Sequence, residues 1–204
     1  MRVDLAGKTV IPALIDPHVH LGYQKDVVFS AANFTRENVM DQLNRYAYAG
    51  VAAVLSMGTD LGDLAFQIRA EQDAGKLGGA LLFTAGRGMA APNAGPGNAE
   101  LKPSAYDLTT EAEARQAVRE QVARKAAFIK VWVDDRNGAV KKTPPAIYRA
   151  IIDEAHKLHT RVIAHVYYLD DAKDLARAGV DAFAHMVRDR EMDDKSLALV
   201  KQHK

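Results

Sequence analysis

Asp16-Pro17-His18-Val19-His20-Leu21-Gly22 decides the reading of this chain. The segment closes an apolar run, Val10-Ile11-Pro12-Ala13-Leu14-Ile15, that reads as a buried strand from about Val10 to His20. Side chains alternate across a strand, so His18 and His20 point the same way. Two imidazoles side by side at a strand end can hold one divalent metal ion. A lone His-x-His is weak evidence, and the case rests on its company further along the chain.

Downstream, short apolar runs alternate with helical patterns. Strands are expected at 51–57, 80–84, 128–133, 161–166 and 180–186. Helices are expected at 36–49, 61–74, 110–126, from Pro144 or Pro145 to about Leu158, at 170–178 and at 193–202. Gly50, Gly75 and Gly179 act as C-terminal stops, and Thr110 with Glu113 has the spacing of a capping box. Strands that are apolar on both faces and separated by helices imply a parallel sheet covered by helices. The first strand leads into His-Val-His-Leu-Gly, where a nucleotide-binding sheet would carry a Gly-rich turn. That favours an α/β fold of the (β/α) barrel type, with its site at the C-terminal strand ends. The stretch Gly86 to Leu108 is long and rich in Gly, Pro, Ala and Asn, and is read as a lid or substrate-binding loop on that face.

Polar residues interrupt the strands on the same face. Lys130 lies inside Phe128-Ile-Lys-Val-Trp-Val133, His165 near the end of Val162-Ile-Ala-His-Val166, and His185 near the end of Ala182-Phe-Ala-His-Met186. A Lys or His inside an apolar strand is costly unless paired or ligated. Four of the seven histidines fall at strand ends. Each alone would read as a hydrogen-bonded core residue; together with Lys130 they read as a metal site. The chain has no cysteine, which excludes disulfides, thiolate ligands and Cys nucleophiles. A net charge of +1 over 204 residues argues against nucleic acid or an anionic membrane surface as partner. No apolar run approaches the roughly 20 residues of a membrane span. The expected partner is a small-molecule substrate. A cytoplasmic location is expected, with an upstream signal segment left open.

These motifs resemble the amidohydrolase superfamily over nearly the whole chain. Asp4 to Leu21 looks like its first-strand signature, and Phe128-Ile-Lys-Val, Val162-Ile-Ala-His-Val and Val180-Asp-Ala-Phe-Ala-His look like its strands four, five and six. The imidazolonepropionase-like and Xaa-Pro-dipeptidase-like group, with its strand-four lysine, is the most similar. The resemblance implies a metal-dependent-hydrolase (β/α)8 TIM barrel with one or two divalent metals. Zn suits the ligand set best; Fe, Mn, Co and Ni are alternatives. His18 and His20 would bind the more buried ion. Lys130, carrying a CO2-derived carbamate, would bridge a binuclear centre, and His165 and His185 would bind the second ion. Lys130 and His185 are the catalytic candidates. The implied reaction is hydrolysis of an amide bond in a dipeptide or N-acyl amino acid, with lactone or cyclic-amide hydrolysis as the alternative. An inactive, oligomerising barrel remnant is the non-enzymatic alternative.

About six βα units are expected, with residues 1–9 the last strand of a mostly missing β-sandwich (about Arg2 to Leu5) and 10–204 the barrel. The family's strand-eight Asp has no counterpart here. The chain is therefore expected to be a fragment with two open apolar sheet edges, and a homo-oligomer. Arg188 is a candidate to grip a substrate carboxylate, with a loop pair to Asp189 as the alternative. Tyr167, Tyr23 and, less directly, Tyr168 and Arg87 are candidates to line the pocket. His156, His159 and His203 read as structural or surface residues, and Asp134-Asp135-Arg136 as a solvated turn.

Overall fold

The structure, a computed structural model, describes residues 3–202. Among the described residues, six α-helices and ten strands follow one another. In order they are β1 (Leu14–Val19), β2 (Gln24–Lys25), β3 (Val28–Phe29), α1 (Arg36–Tyr48), β4 (Val51–Ser56), α2 (Leu64–Asp73), β5 (Leu81–Thr84) and β6 (Met89–Ala90). Next come β7 (Tyr106–Asp107), α3 (Glu111–Ala123), β8 (Ile129–Val133), α4 (Pro145–Lys157), β9 (Val162–Val166), α5 (Leu169–Arg177), β10 (Ala182–Phe183) and α6 (Asp194–Gln202).

All the long strands are parallel. One sheet has the order β1-β4-β5, the other β10-β9-β8-β6-β7, and β2-β3 is a separate hairpin. The sheets meet because the third barrel strand is broken in two: Leu81–Thr84 runs along β4, while Met89 pairs with Val131 of β8. The amide of Ala127 donates to Thr84 O at 2.8 Å across the seam. Gly88 allows the break, since a Cβ there would lie 2.1 Å from the Trp132 ring. This gives the expected six βα units of a partial TIM barrel, with helices outside.

Local signals behave as their chemistry dictates. Thr110 and Glu113 form the capping box of α3, and Pro145 opens α4. Gly50, Gly75 and Gly179 take positive φ after α1, α2 and α5. Each half builds its own core. Val19, Val39, Leu43, Val54, Ile68 and Leu82 fill one, and Ile129, Val131, Ile151, Val162, Ala164 and Leu175 belong to the other.

Four expectations need correction. The first strand begins at Leu14, not Val10: Pro12 offers no amide donor, and Val10 and Ile11 are exposed. The sixth shrinks to Ala182–Phe183, because β9 is its single neighbour among the described residues. The long loop is not structureless, since it supplies β6 and β7 and buries Met89, Ala90, Ala91 and Ala94. The strand expected about Arg2 to Leu5 is not formed at Val3–Leu5, where no ladder partner stands alongside; Arg2 lies outside the described residues.

Candidate metal centre

Parallel strands deliver their C-terminal ends to one face, and there the five expected residues converge. His18 is near the end of β1, His20 just beyond it, Lys130 inside β8, His165 inside β9, and His185 two residues past β10. The rings form a chain of contacts: His20 to His18 at 5.1 Å between centroids, His18 to His185 at 4.7 Å, and His185 to His165 at 4.8 Å. His18 Nε2 lies 3.3 Å from His20 Nε2. Two Zn–N bonds at the tetrahedral angle would hold two nitrogens about 3.3 Å apart.

Lys130 is the most unusual of the five. It is 1 % exposed, and its Nζ has no hydrogen-bond partner. Burial alone pushes its pKa down to about 7. Gly58 makes room for the side chain: a Cβ there would stand 2.7 Å from Lys130 Cγ. The charge of Lys130 lowers the pKa of all four imidazoles. Desolvation is the largest cause for each; together with the charges of His165, Lys130, His18 and Arg188 it takes His185 down to about 4. His20 is lowered too, although one side of it opens to a cavity of about 950 Å³. The rings are therefore neutral at pH 7, with lone pairs free for a cation. Among the described residues no three His, Asp or Glu side chains already close on one ion. The donors come as neighbouring imidazoles beside an orphaned amine, a set that fits a divalent cation once the amine becomes an anionic oxygen donor.

The outer contacts were not anticipated. His20 Nδ1 lies 2.8 Å from Thr59 Oγ1, and His18 Nδ1 lies 3.4 Å from the Ala184 carbonyl. His165 Nε2 lies 3.0 Å from Asp134 Oδ2. The turn after β8 is thus not simply solvated: Asp134 reaches the site, and the Arg136 guanidinium donates to the Gly95 carbonyl of the long loop. Alternation offered a signal for Asp134, which follows Lys130 and Trp132 at every second position. Below Thr59, buried Asp60 accepts from the Ser56 and Thr84 hydroxyls, and burial raises its pKa to about 6.

The substrate candidates separate. Arg188 is exposed, its guanidinium stands 5.2 Å from the Tyr167 ring centre, and it makes no ion pair among the described residues. Asp189 instead accepts from the Leu169 amide and pairs with Arg190. Arg188 lowers His165 and His185, which places its charge beside the site. Tyr167 is half-buried beneath it. Tyr23 does not line a pocket. It is fully buried against Phe29 and Phe34, and its hydroxyl donates to Thr59 O at 2.6 Å. It supports the residue that touches His20. Tyr168 donates to Asp135, and Arg87 lies over Tyr106. His156 pairs with Asp181 and His159 is exposed, while His203 lies outside the described residues.

Residues 9–203 match the family model described as the amidohydrolase family. An uncharacterized protein of Mycobacterium tuberculosis (strain ATCC 25618 / H37Rv) is 26% identical over 201 residues, covering 97% of this chain and 49% of the relative. The chain spans about half the length of the curated relatives it matches. A Xaa-Pro dipeptidase with bound methionine superposes with a TM-score of 0.75 at 23% identity, covering 94% of this chain and 51% of that one. A putative prolidase from Bifidobacterium longum gives 0.74 at 26% identity, over 92% and 42%. No helix among the described residues is long and apolar enough to cross a membrane.

Proposed function

Because this chain belongs to the amidohydrolase family, we propose that it carries the ligand-bearing part of a metal-dependent hydrolase that cleaves an amide bond in a dipeptide or N-acyl amino acid. His18, His20, His165, His185 and Lys130 as its carbamate would hold one or two divalent ions, most suitably zinc. Bound there, the ions would supply Lewis-acid polarisation of the scissile carbonyl and water made acidic enough to ionise near pH 7.

The chain's own residues prepare this. With its pKa near 7, much of Lys130 carries a free lone pair at neutral pH. That pair can form an N–C bond to CO2 while one C=O π pair moves to oxygen and the amine loses a proton, leaving a carbamate anion and H⁺. An anion beside neutral imidazoles removes the penalty of a buried ammonium and adds oxygen donors. Arg188, unpaired and laid over Tyr167, is suited to grip a substrate α-carboxylate. The presence of Xaa-Pro dipeptidase and prolidase structures among the fold relatives agrees with that substrate class.

The observation that carries the proposal is the orphaned, buried Lys130 amine among four neutral imidazoles. Adding zinc and 13C-bicarbonate to the metal-free chain should give bound zinc and a carbamate carbon resonance, both lost in Lys130→Ala. Zinc bound equally by wild type and Lys130→Ala, with no carbamate signal, would sink the lysine's role. In turnover assays, dipeptides with a free carboxylate should be preferred over their C-terminal amides and over lactones. Arg188→Met should raise KM for the dipeptides about tenfold; lactones favoured over dipeptides would move the reading to the alternative chemistry.

A further inference from the structure

Asp134 has no task in the reaction proposed above, yet its carboxylate is tied at both oxygens. Oδ1 accepts from the Arg136 amide at 2.9 Å, and Oδ2 lies 3.0 Å from His165 Nε2. Asp134 and His165 are 14 % and 15 % exposed, so their hydrogen bond is largely dry and directional. A carboxylate can only accept, which puts the ring proton on Nε2 and leaves Nδ1 as the lone-pair nitrogen of a neutral ring. The β1 side is sorted the other way. The Ala184 carbonyl accepts from His18 Nδ1, leaving Nε2 as the lone pair, and it is the Nε2 atoms of His18 and His20 that approach to 3.3 Å.

We propose that Asp134 is a positioning residue that holds the His165 proton on Nε2, so that His165 offers Nδ1 to a cation while His18 offers Nε2. The inference rests on the reading of His165 as a ligand. Lys130, Trp132 and Asp134 occupy alternate positions, and Trp132 stands opposite His165 in register. Asp134 therefore arrives beside His165 because β8 and β9 are in this register. Its neighbour Asp135 is engaged elsewhere, with Tyr168 and Lys142. Outer carboxylates of this kind fix the tautomer of a ligating histidine and raise its basicity.

The test uses the 204-residue chain, labelled with [15N]histidine and metal-free, at neutral pH. Nitrogen resonances of a neutral imidazole show which nitrogen carries the proton. His165 should show Nε2–H in wild type. In Asp134→Asn the amide oxygen can keep the Arg136 contact while its NH2 faces His165, so the ring should switch to Nδ1–H. Asp134→Ala should lose the preference, and Thr59→Val should leave His165 unchanged. Zinc affinity should fall about 10–100-fold in Asp134→Asn with the thermal midpoint held. The same His165 tautomer in wild type, Asp134→Asn and Asp134→Ala would overturn the proposal, and so would a switched tautomer with unaltered zinc affinity. If the wild type takes up no zinc, the ligand reading fails, while the tautomer comparison still decides whether Asp134 sets the ring.

Discussion

Lys130 is an amine that this fold holds far more easily neutral than water does. Its native pKa lies near 7, against 10.5 for an ordinary lysine. Between those values the unfolded chain binds more protons than the native one, so the stability of the metal-free protein should rise with pH across that window. Lys130→Met should abolish that slope. At pH 7 it should also stabilise the metal-free fold by about 1–3 kcal/mol, by removing a buried amine that has no partner. Urea midpoints at pH 7 and pH 9 for both proteins check this, and equal slopes would contradict it. A stability cost of that kind at one buried amine would agree with the role in chemistry proposed for it. At this scale the sequence was most legible where a residue type clashed with its surroundings. Lys130, His165 and His185 stand out in apolar strands, and the structure gathers them with His18 and His20. Tyr23 misled because nearness in sequence to His20 says nothing about which way a side chain points. Asp134 was missed because an Asp-Asp-Arg turn looks alike whether it meets solvent or a ring nitrogen thirty-one residues away.

Helices were legible to within about three residues at each end, since caps, stops and periodicity are local. Strands were not, because a strand's length depends on what pairs with it. β10 is short for that reason, and β6 and β7 were invisible in a Gly- and Pro-rich stretch. The broken third strand depends on two glycines, Gly86 at positive φ against Gln121 and Phe66, and Gly88 against Trp132. Gly88→Ala would push a methyl into the Trp132 ring, beside Lys130 on the same strand face. We expect a loss of about 1–3 kcal/mol from overpacking, read as a lowered urea midpoint, with a changed Trp132 fluorescence spectrum. Trp132 is the chain's single tryptophan, so the spectrum reports on the surroundings of this one ring. An unchanged midpoint and spectrum would show that the seam gives way freely.

For the molecule as a whole, the outer edges of β1 and β10 have no strand beside them among the described residues. Leu14 and Ile15 are 55% and 63% exposed along the first of these. A parallel edge carrying apolar side chains invites pairing with another chain, and a net charge of +1 supplies little repulsion. Sedimentation should therefore show association that grows with concentration and weakens in Leu14→Lys. A wild-type chain that remains monomeric over the micromolar range would contradict the expectation.

The seam at the third strand divides the chain into two stretches that are each nearly continuous in sequence. One runs from β1 to β5 around its own core, and the other from β6 onward around a second. The division also separates the imidazoles: His18 and His20 belong to the first stretch, Lys130, His165 and His185 to the second. During synthesis the leading stretch could condense while the trailing one is still emerging. Backbone and apolar contacts already join the two stretches across the seam, and a cation gripped from both sides would then act as a rivet added to that joint.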